Sequence, residues 1–408
     1  MKNQAFLLKF SVFSFVIVAI LGVLMRYKIA FSLPFVEQKH LQEAHSHFAF
    51  YGFITSCIYI LVAQYLSKTV EGIQMKKYQI LIGINFFASY GMLLSFLYAG
   101  YFWLSIIFST IALLNSFVYY FFLHRDLKNL QETSKIWFLA AFFFAVLSSL
   151  GVFTLSYMMA TKNVVQELYL ASTYFYLHFQ YNGFFIFSCL GLLFYHLKEK
   201  GILISSTENK RIFGLLFIGC FIGFGLSVLW LKLPVWIYLV IVLATLVQTY
   251  GVFLFFKWIK NQWPKIKTTT NPLQRFVFIY VGFAFAVKIL LQLGSVIPAV
   301  SQFAFGFRNV VIAYLHLILL MCVATFLLSQ VIQNFKTSPR LNAGLKYFLL
   351  SVFLNEFLLG LIGIFSIKYV AIPFANEFLF GISVLILISI LIIFNTLKEK
   401  TIKPLTFL

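Results

Sequence analysis

The sequence predicts an all-α polytopic membrane protein of about twelve transmembrane helices, on three observations. Hydrophobic residues fill 62% of the 408 positions and charged residues only 10%, a balance typical of chains that live in lipid. Apolar stretches of roughly 20 residues, the length that crosses a bilayer, recur near 5–25, 46–67, 79–99, 102–123, 136–160, 169–196, 212–231, 234–256, 276–298, 308–333, 343–366 and 375–397. The connections between them are short and none is a polar domain, so residues 1–408 read as one integral membrane domain.

The first stretch has no small-residue cleavage site and ends in Met25-Arg26, so it reads as a retained helix rather than a signal peptide. Ser32-Leu33-Pro34, Trp263-Pro264, Asn271-Pro272, Ser338-Pro339 and Ile372-Pro373 are turn formers and helix stoppers in the connections. Cys57, Cys189, Cys220 and Cys322 lie singly in apolar stretches. That spacing suits core residues and excludes a disulfide framework, a zinc site and a covalent haem-attachment motif. The net charge of +20 invites a nucleic-acid partner, but the basic residues are dispersed among short loops, which argues for none. The two ends and the loops after spans 2, 4, 6, 8 and 10 carry 23 of the 31 Lys and Arg residues, and the opposite loops carry seven. The positive-inside bias then puts both termini in the cytoplasm, with the chain multi-pass in the inner (cytoplasmic) membrane of the cell.

Ionisable side chains in membrane helices are costly and mark candidate sites. Ala44-His45-Ser46-His47-Phe48-Ala49-Phe50-Tyr51-Gly52 opens span 2. His316 follows the rim residue Arg308 by eight positions, and His178 follows Glu167 by eleven. At 1.5 Å per residue these sit about 12 Å and about 16 Å below the outer rim. Four histidines in the outer half suggest a haem or metal held in the membrane; interfacial or packing polar groups are the plainer alternative. His45 and His47 lie about 200° apart on a helix. Beneath His45 a regular helix carries the small residues Ala49, Gly52 and Ser56, which admit a close neighbour, whether a helix or a flat porphyrin. Beneath His47 it carries the bulkier Tyr51, Ile54 and Ile58. His45 is therefore expected to be the inward ligand, with Gly52 on its face and His47 at the rim. Arg308 or Arg26 could neutralise the propionates of a haem held by His316. Tyr174, His178 and Asn182 form an i, i+4, i+8 stripe that should face protein.

Lys288 in span 9 and Glu356 in span 11 both fall near mid-membrane, and Gln292 extends the face of Lys288. A buried ion pair between them is the economical expectation, and a proton path is the alternative.

The arrangement resembles the catalytic subunit of the haem–copper oxidase superfamily, especially its nitric oxide reductase branch. His178-Phe179-Gln180-Tyr181-Asn182-Gly183 is similar to the reductases' His-x-x-x-Glu-Gly text. The run from His45 to Gly52 resembles their His-x-His-x-Ala-Phe-Phe-Gly text, which belongs to span 10 in that family. The resemblance implies twelve helices with cytoplasmic ends and a low-spin, bis-histidine haem b held by His45 and His316. It also implies a second metal near His178, with Asn182 as a weak partner. That binuclear centre is expected to be degenerate. Span 7 has no histidine, Tyr314 stands where the high-spin haem ligand would be, and Asn182 replaces the glutamate. The expected function is electron transfer, or the reduction or sensing of O2 or NO, with the lipid bilayer and a cytochrome or quinol donor as partners. The alternative is a twelve-helix secondary transporter without haem, using Lys288, Glu356 and His178. No repeated half or matched pair of interrupted helices supports it.

Overall fold

A computed structural model describes residues 2–366 and 369–399. Twelve helices in it are long and apolar enough to cross a membrane. Spans 1 to 4 are Gln4–Phe31, Gln38–Thr69, Met75–Ala99 and Trp103–Asp126. Spans 5 to 8 are Lys135–Ala160, Gln166–Glu199, Ser206–Val228 and Val235–Thr269. Spans 9 to 12 are Pro272–Gly294, Asn309–Ile332, Pro339–Ser366 and Ala375–Thr396. The protein is an all-α, multi-pass membrane protein.

Spans 2 and 8 differ most from expectation at their ends. Span 8 runs through Pro264 to Thr269. The proline leaves the Lys260 carbonyl without its usual partner, which is tolerable where the helix leaves the apolar layer and water can serve that group. Span 2 starts at Gln38, so His40 is helical rather than part of a loop.

Each span packs on the next in chain order, and span 12 packs on span 1, so the twelve close into a ring. Spans 2, 6 and 10 also touch one another, forming a central triangle built from every fourth helix. The most apolar stretch is 89% buried in spans 2 and 6, against 28–56% in the others. Aromatic rings fill the layers between: Phe15 stacks on Phe53 at 4.1 Å, and Tyr59, Tyr119 and Phe142 form a continuous pile.

All three central spans widen into a π turn directly below their histidines: Ala49–Thr55, Phe179–Phe185 and Leu317–Ala324. Such turns leave carbonyls short of their ordinary partners and recur at functional sites. In spans 2 and 10 hydroxyls five residues on restore a bond. Ser56 Oγ donates to the Tyr51 carbonyl at 3.0 Å, and Thr325 Oγ1 donates to that of Leu320 at 2.9 Å. Asn85 of span 3 donates to both the Tyr51 carbonyl and Ser56 Oγ.

Candidate functional site

Two polar groups occupy the interior. The first lies among spans 1, 2, 10 and 11. Span 1 supplies Val18, Gly22 and Arg26, which at i, i+4 and i+8 share one helix face. His45 Nδ1 donates to the Val18 carbonyl at 3.1 Å, and its ring lies 3.5 Å from where a Cβ on Gly22 would stand. His316 Nδ1 donates to the Ile312 carbonyl, one turn back on its own helix, at 2.9 Å. His45, His316 and Arg26 are close enough for their charges to interact, and so are Arg26 and Glu356. Asn355 Nδ2 donates to Glu356 at 3.0 Å. All of His45, His316, Arg26 and Glu356 are only half-buried, and Gly360, one turn beyond Glu356, has no atom near its missing Cβ.

The imidazole tautomers follow from these bonds. A carbonyl only accepts, so in both His45 and His316 the proton sits on Nδ1 and the bare nitrogen is Nε2. Neither Nε2 has a partner among the described residues. Histidines that bind metal characteristically donate the other ring N–H to a carbonyl or carboxylate. Each of the two keeps bare the ring nitrogen that a metal-bound histidine would use.

His47 is differently engaged. Nδ1 donates to the Glu43 carbonyl at 2.9 Å, Nε2 accepts from the Tyr101 hydroxyl at 3.0 Å, and the ring stacks on Phe96. Both nitrogens are used at the rim.

The small face expected below His45 does not form. The Phe48 ring covers Gly52, where a Cβ would come within 2.6 Å of it, and Ser56 is tied to Tyr51 and Asn85. The π turn at Ala49–Thr55 changes the number of residues per turn, so Gly52 and Ser56 no longer follow His45 at regular helical spacing. The small surface that meets His45 comes instead from Gly22. Its signal was present as the Gly22 and Arg26 spacing of four in span 1. The side chain of Arg308 lies outside the described residues.

The second group lies among spans 6, 7, 9 and 10. His178 Nε2 donates to the Cys220 carbonyl at 2.9 Å, and Nδ1 accepts from Asn182 Nδ2 at 3.1 Å. With both nitrogens occupied, His178 and Asn182 are bonded to each other rather than presented as a pair of metal ligands. Among the described residues, no three His, Cys, Asp or Glu side chains are grouped to hold a metal ion. Lys288 is 2% exposed, within electrostatic reach of His178, Cys220 and Cys322, and 5.9 Å from the Phe285 ring. The Oε1 of Gln292 and the Oδ1 of Asn182 are buried with no partner among the described residues.

The expected Lys288–Glu356 ion pair is not formed. Ion pairs among the described residues join Lys68 to Glu199, Lys77 to Asp126 and Lys198 to Glu132. Spans 9 and 11 share a depth, but span 10 stands between them in the ring. Glu356 therefore belongs with Arg26, and Lys288 with His178. Tyrosines bridge the interior: Tyr51 and Tyr176 hydroxyls are 3.1 Å apart, and the Tyr181 and Tyr314 rings meet edge to face at 6.4 Å.

No protein-family model matches this chain, and no curated protein matches it.

Proposed function

We propose that the chain is a haem-b-binding membrane protein of the haem–copper oxidase type, with His45 and His316 as axial ligands and electron transfer as its role. The observation that carries this reading is the matching hydrogen bonding of the two histidines. Each gives its Nδ1–H to a backbone carbonyl, each keeps Nε2 bare, and the two lie within electrostatic reach across spans 2 and 10. Haem b supplies one-electron redox chemistry when bound. The Val18 and Ile312 carbonyls would fix the two ring orientations, and Arg26 would offset acidic propionates. His45 and His316 would together hold the iron, and a haem held by two imidazoles would supply electron transfer rather than gas binding. The bonded state of His178, Asn182 and Cys220 favours electron transfer over gas reduction at a second metal. A cytochrome or quinol fits as the electron donor, and the inner (cytoplasmic) membrane of the cell as the location.

A reduced-minus-oxidised absorbance spectrum of the purified protein tests the proposal. His45→Ala and His316→Ala should each abolish the low-spin signal. His47→Ala should only weaken it, and His178→Ala should leave it in place. Wild-type protein recovered without haem from a haem-supplied host would end this reading. The transporter alternative would then stand first, although its three residues fall into two separate groups.

A further inference from the structure

A groove of about 430 Å³ runs up between spans 6, 8, 9 and 10 in the half of the membrane that carries the chain ends. That volume lies within the roughly 300–1,000 Å³ of pockets that hold small molecules. Its walls are almost wholly hydrocarbon, from Leu193 and Leu197 to Phe256, Trp263, Phe278 and Phe285. Phe283 and Ile279, on the same wall, are 53% and 55% exposed, so the groove opens sideways where the bilayer lies. Trp263, the wall residue next to the projecting end of span 8, suits the membrane–water boundary.

The end of span 8 that carries the wall residues Ile259, Trp263 and Ile266 is strongly basic. Lys257, Lys260, Lys265 and Lys267 are exposed on the end of span 8. Arg275 is three residues before Phe278 and shares its face; it donates to the Lys267 and Thr270 carbonyls at 2.7 Å, while Lys200 donates to that of Thr269 at 2.9 Å. Between Glu208 and Glu356 the sequence contains no acidic residue at all. The exposed lysines therefore have no acidic neighbour anywhere in spans 8 to 10 or their connections.

We propose that this groove holds an acyl chain of an anionic phospholipid from the leaflet on the side of the chain ends, with its headgroup among Lys260, Lys265 and Lys267. The apolar walls and sideways opening select a lipid chain, and lysines that form no ion pair among the described residues select a negative head. The proposal is independent of haem binding.

The test uses the purified full chain in nanodiscs of mixed phosphatidylglycerol and phosphatidylcholine, released for native mass spectrometry. The expected result is one phosphatidylglycerol retained per chain, in preference to phosphatidylcholine. Lys260→Gln, Lys265→Gln and Lys267→Gln together, all at exposed positions, should erase the preference by up to roughly five-fold per lysine. Gly282→Leu should reduce retention of both lipids. A Cβ there makes only ordinary contact with Phe256 at 3.5 Å, so the added side chain extends into the groove. Equal retention of the two lipids by the wild type would overturn the proposal. So would unchanged phosphatidylglycerol retention in the lysine variant, whose surface changes leave the core untouched.

Discussion

Four histidines lie in the half of the membrane away from the chain ends, and their hydrogen bonds divide them. His47 and His178 use both ring nitrogens, whereas His45 and His316 each leave one bare. Sequence spacing ranked His45 above His47 for the wrong reason, since the face that meets it belongs to span 1. Gly22→Leu tests that contact. The substitution favours helix by up to about 1 kcal/mol, yet its added carbons enter the His45 ring position. Haem content should fall several-fold while thermal stability holds; unchanged haem content would remove Gly22 from the site. Lys288 and Glu356 give a second residue-level test. Two charges that do not touch should behave additively, with coupling below about 0.5 kcal/mol. Lys288→Met should be tolerated, because it removes a charge without orphaning a carboxylate. Thermal unfolding of both single variants and the double with Glu356→Leu measures this. Rescue of one substitution by the other would reinstate the pair.

At the scale of the helix, the π turns are what hydropathy could not reveal. All twelve spans were legible because length and apolar content decide whether a segment crosses lipid, and those quantities survive a local change of pitch. Facing is different, since it depends on every residue between two positions keeping the regular turn. The faces read beneath His45 broke at Ala49–Thr55, whereas the Val18, Gly22 and Arg26 face lies in an unbroken helix. The nearest signals of the wider turns are the hydroxyls of Ser56 and Thr325. Ser56→Ala should cost about 0.5–2 kcal/mol, because the Tyr51 carbonyl loses one donor and Asn85 loses one acceptor in a water-free interior. Thermal unfolding reads the loss, and a variant as stable as wild type would show that Asn85 alone satisfies the turn.

Over the whole molecule, the partition of basic residues predicts orientation, and reporter fusions check it. Fusions at residues 130, 205 and 266 should report cytoplasm, and those at 36 and 305 the opposite side. The reverse pattern would invert the proposed placement without disturbing the ring. Twelve spans could be read from composition and length. The ring order could not, because nothing in the apolar stretches says which neighbour a helix takes. The closure of that ring by the first and twelfth spans sets an order on biogenesis. Spans 1 and 11 flank the His45–His316 group, and span 12 seals the gap between them. At ordinary synthesis speeds the residues after span 11 take on the order of seconds to emerge. During that interval the interval between spans 1 and 11 is a doorway, wide to the bilayer. A rigid planar guest delivered by then needs no later breathing of the finished bundle, and one delivered afterwards must wait for span 12 to part from its neighbours.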